Sequence, residues 1–357
     1  MPPVMGITAF LIAEFLGVPY GEVVLAAIVP AFLYYVALFI QVDLEAAKNN
    51  LTGLPADELP RFRDVARTGW VFVVPITILF WTLTVELWQP GRAAMITVVA
   101  TILVGLLQRA TRPTWRGLLE ALEDTGRIIL DLIVITLVAG LVIGAVQVSG
   151  IGFDFSLMLV EAAGGTLLML LLMTAAVCIV LGMGMPTGVI YVLLAVLVAP
   201  ALTKMGVVPM AAHLFIFYFG LMSMITPPVC LAIFAAASIA QVDFWKAGWV
   251  GMRLAIVAYV VPFVMVYQPA LMLPGPIVDF ILTTGKAALG VMILSFGMVG
   301  YLFSPLGLGS RVLFSLIGAA LMLTPLDAPF GIPMAGAMIV ISAALVVWQK
   351  RLALQPA

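Results

Sequence analysis

The sequence predicts an all-α, polytopic membrane protein, and three observations carry that reading. Of 357 residues, 64% are hydrophobic and only 9% are charged, against about 25% charged in soluble domains. A soluble core of this size cannot hide so much apolar surface, so the bilayer must act as part of the solvent. Apolar runs of crossing length recur near 22–41, 69–88, 92–108, 127–147, 246–267, 279–303, 311–326 and 333–349. Two further apolar stretches, 157–203 and 208–241, are interrupted by residues that cannot continue a helix.

The first interruption is Gly182-Met183-Gly184-Met185-Pro186-Thr187; the second is Thr226-Pro227-Pro228. Length separates their architectures. Helical throughout, 157–203 would reach about 70 Å, roughly twice a membrane crossing. This predicts a re-entrant hairpin with its tip at Gly182–Thr187. The stretch 208–241 would reach about 50 Å, which predicts one discontinuous crossing of two half-helices, unwound at Thr226–Pro228.

Charge placement orients the chain. The loop 42–68 holds Lys48, Arg61, Arg63 and Arg67; the loop 109–127 holds Arg109, Arg112, Arg116 and Arg127; the C-terminal end holds Lys350 and Arg351. The positive-inside rule places all three in the cytoplasm. With the hairpin and the single crossing as assigned, Lys246 and Arg311 also fall inside, Lys204 lies outside, and Lys286 sits in a span near its outer end. Parity also closes if the two broken stretches exchange roles; length favours the first assignment. Residues 113–125 are amphipathic, with Leu118, Leu119 and Leu122 on one face, and predict a helix lying on the membrane surface.

The chain also repeats. Met1-Pro2-Pro3-Val4 is followed by an apolar half-helix, a gap at 17–21 and a span to 41. Pro227-Pro228-Val229 is followed by a half-helix, a gap at 241–245 and a span to 267. Ala13, Val18 and Tyr20 match Ala237, Val242 and Phe244 after a one-residue slip. The charges run the two units in opposite directions, an inverted repeat with broken helices at corresponding positions, which points to a secondary transporter. The first unit starts inside a broken helix, so the chain is expected to be the C-terminal part of a larger or split permease. The resulting divisions are 1–41, an incomplete N-terminal repeat; 42–68, a cytoplasmic connector; 69–267, the C-terminal repeat; and 268–357, an extra three-helix region.

Several function classes are excluded or weakened. A net charge of −1 offers no basic field for nucleic acid. Cys178 and Cys230 lie in apolar runs and read as buried thiols, not a disulfide framework. No signal peptide precedes the first apolar run. There is no P-loop, no Cys/His ligand spacing and no nucleophile–base set, so neither ATP hydrolysis nor another enzymatic reaction is expected. His213 reads as a packing or capping residue, with a proton relay as the alternative. Glu14 and Asp243 read as interfacial, Asp131 as paired with Arg127, and the 20 methionines as packing. The candidate site is therefore backbone. Carbonyls freed at a helix break can coordinate a cation, half-helix N-termini can meet an anion, and Thr187 and Thr226 add hydroxyls.

Leu181-Gly182-Met183-Gly184-Met185-Pro186-Thr187, Ile225-Thr226-Pro227-Pro228-Val229 and Ala236-Ala237-Ser238-Ile239-Ala240 resemble the large membrane subunit of tripartite ATP-independent periplasmic (TRAP) transporters. The Met-Pro-Pro-Val-Met-Gly start and the Gly-Met-Gly-Met-Pro-Thr tip resemble fused permeases that work with TAXI-type solute-binding proteins. The resemblance covers about 1–267, and the spans in 270–351 resemble the extra C-terminal region of such permeases. It implies an elevator-type secondary transporter of the bacterial inner membrane that needs no cofactor. A periplasmic TAXI-type binding protein would deliver an organic acid, and a sodium or proton gradient would drive uptake. Gly182–Thr187 and Ile225–Pro228 would form one cation site, sodium foremost, and half of the substrate site; Pro2, Pro3 and Val4 would belong to the counterpart. The further partners implied are the small membrane subunit or a missing N-terminal half. The alternatives are a channel subunit or a scaffold fragment of a split permease.

Overall fold

The structure, a computed structural model, describes residues 8–353 except 54, 56, 57, 60, 87, 109–111 and 273–275. Side chains at 68, 84, 90, 128, 131, 132, 135, 136, 138, 139, 142, 143, 147, 352 and 353 are likewise outside the description. The pairing expected for Asp131 and the Pro2–Val4 element both fall outside the described residues; Arg127 itself pairs with Glu123 at 2.7 Å.

The described residues are helical, without a named strand. In chain order the helices are α1 (Thr8–Leu16), α2 (Tyr20–Lys48), α3 (Phe62–Thr84), α4 (Pro90–Leu107), α5 (Trp115–Ser149), α6 (Ile151–Ala162), α7 (Leu167–Gly182) and α8 (Thr187–Leu197). There follow α9 (Ala199–Lys204), α10 (Pro209–Met222), α11 (Leu231–Ala240), α12 (Phe244–Leu254), α13 (Ile256–Tyr267), α14 (Ile277–Val299), α15 (Leu308–Leu323) and α16 (Gly331–Ala353). By length and composition, Tyr20–Lys48, Phe244–Tyr267, Ile277–Val299 and Gly331–Arg351 are each sufficient to cross a membrane.

The chain forms two compact units. Among the described residues, one comprises Thr8–Val24 together with Thr52–Ala145. Within it α3 packs on α4, the rings of Phe10 and Tyr20 stack at 4.4 Å, and the Arg92 guanidinium lies 4.2 Å over Trp88. The amphipathic segment expected as a separate surface helix runs without interruption into the following span as α5, 35 residues long. Only Gly126 stands at the expected boundary, and one glycine costs a helix about 1 kcal/mol, too little to end it.

The other unit holds Leu25–Leu51 and the chain from Val146 onward. Here α2 ties two elements together. In an unbroken helix the Leu254 carbonyl would accept from Ala258, but the Ala258 N–H turns to Ala255 at 2.8 Å, which breaks α12 from α13. The buried Gln41 amide donates to the freed Leu254 carbonyl at 3.0 Å. One turn on, Glu45 pairs with Arg253 at 3.0 Å, and Lys48 donates to the last carbonyl of α14, Val299, at 3.2 Å. Asp243, expected at an interface, N-caps α12 by accepting from the Lys246 N–H at 2.9 Å.

The C-terminal helices form their own core of Ile293, Leu306, Phe314, Leu321 and Ala335. Glycines set the approach of α14 to α15. A methyl at Gly290 would lie 2.9 Å from the Gly318 carbonyl, and one at Gly297 would lie 2.6 Å from the Arg311 carbonyl. A β-carbon at Gly318 would run into the Leu294 backbone. Backbone cannot retreat as a flexible side chain can, so Gly318→Val is expected to destabilise the bundle by about 1–3 kcal/mol. A thermal scan of the purified full-length chain in detergent checks this as a lowered Tm.

Candidate functional site

The two sequence interruptions are both breaks in the structure, and both lie in the second unit. α7 stops at Gly182. Met183 is extended (φ −64, ψ 123), Gly184 is left-handed (φ +77), Pro186 is extended (φ −62, ψ 146), and α8 starts at Thr187. The local chemistry accounts for each step. Pro186 has no N–H to continue the α7 ladder and disfavours helical geometry at Met185. Gly184 adopts a left-handed φ at no steric cost. The Pro186 carbonyl then accepts from Ile190 at 3.0 Å, opening the new helix.

The second break runs from Ser223 to Cys230, between α10 and α11. It is a coil of tight turns. Met224 donates to Leu221 at 2.9 Å, Ile225 to Met222 at 3.1 Å, and Thr226 to Met222 at 2.9 Å. Pro227 and Pro228 supply no N–H, and Cys230 takes a positive φ of 26 before α11 begins. Ala232, in the first turn of α11, donates back across the break to Met224 at 3.1 Å.

One buried hydroxyl joins the two breaks. Ser223 Oγ lies 2.9 Å from the Gly182 carbonyl and 2.6 Å from the Gly220 carbonyl, so its proton is shared between the end of α7 and its own helix. Gly182 is the residue that permits this approach: a methyl there would sit 2.8 Å from Ser223 Oγ and 2.9 Å from the Gly220 carbonyl. Gly220 does the same for the other arm, since its methyl would lie 2.7 Å from Ile190 Cγ2 on α8. Thus α7 and α8 both pack on α10. The far side of the break is closed by α12 and α13. A methyl at Gly248 would touch Pro227 at 3.0 Å, and the Tyr259 hydroxyl lies 2.7 Å from Thr226 Oγ1. Thr226 Oγ1 also lies 2.5 Å from the Met222 carbonyl.

Of the residues expected at the site, the structure joins Gly182 to the second break through Ser223 and fixes Thr226 through Tyr259. Gly184 and Pro186 are exposed at the tip, and Met183, Met185, Thr187 and Ile225 are half-buried there. His213 is on the buried face of α10, where its Nδ1 lies 2.6 Å from the Tyr191 hydroxyl of α8. Among the described residues no group of three or more His, Cys, Asp or Glu side chains is placed to hold a metal. The oxygen donors at the breaks are carbonyls and hydroxyls, a donor set suited to a hard cation. Ser223 and Tyr259 were not singled out in the sequence. A serine inside an apolar run was a signal for the first; nothing local marks the second.

The repeat has a structural counterpart in local geometry. α1 ends at the left-handed Gly17 (φ +64), and α11 ends at the left-handed Gln241 (φ +53). Val18 donates to Ala13 at 3.0 Å, and Val242 donates to Ala237 at 3.1 Å. These are the pairs aligned in the sequence, and the same terminating bond precedes the helices that begin at Tyr20 and Phe244.

A family model described as "Tripartite ATP-independent periplasmic transporter, DctM component" matches residues 1–280. The chain belongs to the DctM family. No curated protein and no solved structure matches it. DctM is a transporter component, so the chain is a multi-pass membrane permease subunit of a TRAP transporter, a class that implies a periplasmic binding protein and a small membrane subunit as partners. The DctM match contains both helix breaks and both copies of the repeat. It ends within the first turn of α14, leaving α15 and α16 outside.

Steric and hydrogen-bond coupling at Ser223 is measurable. Gly182→Ala and Ser223→Ala are each expected to destabilise the chain. The double variant is expected to cost less than the sum, by about 0.5–1 kcal/mol, because removing Oγ relieves part of the Cβ clash. Thermal unfolding of the four proteins in detergent reads that difference.

Proposed function

We propose that this DctM subunit carries an organic carboxylate across the bacterial inner membrane together with a cation, sodium in preference to protons, by an elevator-type movement of the unit bearing the breaks. The observation that carries the reading is the junction of two helix breaks through Ser223. It gathers carbonyl and hydroxyl oxygens for a cation beside the N-terminal ends of α8 and α11, where N–H groups favour a carboxylate. α7 and α8 have 16 and 11 residues, about 24 and 16 Å at 1.5 Å per residue, each short of a roughly 30 Å hydrocarbon core. That supports a re-entrant hairpin. The distribution of Lys and Arg supports a cytoplasmic C-terminus. The Gly-Met-Gly-Met-Pro-Thr tip and the helices beyond the DctM match support a TAXI-type binding protein as the delivering partner.

The test is uptake of labelled carboxylates into liposomes holding the assembled permease and its binding protein. Uptake is expected only with both the binding protein and an inward sodium gradient. Uptake driven equally by a proton gradient overturns the sodium assignment, and flux needing neither gradient nor binding protein makes the protein a channel. Tyr259→Phe releases the Thr226 hydroxyl without opening the packing. It is expected to raise the half-saturating sodium concentration about three- to tenfold, the loss of one hydrogen bond, with the dependence on binding-protein concentration unchanged.

A further inference from the structure

The C-terminal helices hold a polar site separate from the helix breaks. A cavity of about 790 Å³ is bordered by the end of α13, by α14, by the α15–α16 loop and by α16. Its wall includes Leu282, Leu289, Ile332 and Ile339, all exposed on the outside of the bundle, so the cavity is continuous with a lipid-facing surface. Its charged residues are Lys286, Asp279 and Asp327, with Gln268 among the neutral polar ones.

Lys286 is the unusual member. It is 6% exposed, on a helix apolar and long enough to span a membrane. Its ammonium donates to Gln268 Oε1 at 2.6 Å and to the carbonyl of Thr324, the C-cap of α15. Gln268 is itself held by donating to the Met322 carbonyl at 2.9 Å. The end of α15 favours a cation, but both hydrogen-bond acceptors are neutral, and the exposed Asp327 carboxylate acts on the ammonium only through space. The ion pairs among the described residues are Glu45–Lys48, Glu123–Arg127 and Glu45–Arg253, and none involves Lys286. An ammonium has three donors, of which two are engaged. A buried cation at membrane depth ordinarily pairs with an anion or marks a binding site. The two carboxylates on the cavity, Asp279 and Asp327, are exposed.

We propose that this cavity binds one molecule of phosphatidylethanolamine. A phosphate oxygen accepts from the Lys286 ammonium, the lipid's own ammonium lies against Asp279 and Asp327, and the acyl chains run over Leu289 and Ile339 into the bilayer. The order of groups along α14 matches the order along the lipid. Asp279 stands in the first turn, Lys286 about 10 Å further along the axis, and Leu289 beyond it. Side chains lean toward the N-terminus of their helix, which carries the lysine ammonium back toward the carboxylates. Charge complementarity selects this lipid. An anionic lipid without an amine meets two carboxylates, a choline headgroup has no N–H to give them, and inorganic phosphate leaves the apolar wall uncovered.

The full-length chain is reconstituted into nanodiscs with equal parts of phosphatidylethanolamine, phosphatidylglycerol and phosphatidylcholine, then extracted into mild detergent for native mass spectrometry. One phosphatidylethanolamine per chain is expected to be retained over the other two. Lys286→Met is expected to lower its retention about tenfold, the loss of one charge-assisted hydrogen bond. Asp279→Asn with Asp327→Asn is expected to reverse the preference toward phosphatidylglycerol. Equal retention of the three lipids by the unaltered chain overturns the proposal, as does an unchanged preference in the Asp279/Asp327 variant. That variant alters exposed residues only, so it decides the matter even where Lys286→Met fails to fold.

Discussion

In a bilayer a backbone carbonyl without a partner costs several kcal/mol, and the arrangement around Ser223 follows from that constraint. Two helices stop inside the compact unit, one at Gly182 and one at Met222. The carbonyls released there need donors that neither helix can supply. A single buried hydroxyl, shared between the Gly182 and Gly220 carbonyls, meets part of that need and draws the two breaks together. The glycines are required by the same contact, because a β-carbon at Gly182 or Gly220 would push α7 or α8 off α10. Tyr259, Gly248 and the edge-to-face rings of Phe215, Phe219 and Phe263 then hold the break from its other side.

The same constraint recurs away from the breaks, with side chains as the remedy. Gln41 supplies the N–H missing at Leu254, Lys48 supplies one at the end of α14, and Lys286 and Gln268 supply them at the end of α15. All are long polar side chains spent on helix ends. Their effect is mechanical as well as electrostatic. α2, α12 and α14 are bolted together at one polar cluster, so a DctM module ending at 280 and the helices after it share one compact unit.

The repeated half-helix, left-handed residue and new helix show how little sequence a shared geometry needs. Gly17 and Gln241 differ, as do Tyr20 and Phe244, yet Val18 to Ala13 and Val242 to Ala237 make the same bond. The left-handed turn is set by the need to end one helix and redirect the chain within three residues, and a glutamine meets it at modest cost. Identity at these positions is therefore weak, and position is what persists.

The class, the helix content and both interruptions were legible in the sequence, because hydropathy and the missing N–H of proline act locally. The sequence also marked Gly182–Thr187 and Thr226–Pro228 as the special backbone, since glycine and proline are legible without neighbours. It divided α5 in two because amphipathic patterning reports a face and not a helix end. It could not assign Ser223 or Tyr259, which matter only through partners 41 and 33 residues away. Nor could it distinguish a lysine near a span end from one buried against Gln268 and Thr324. Those were decided by tertiary structure alone, because burial and hydrogen-bond partnership arise when separate helices meet.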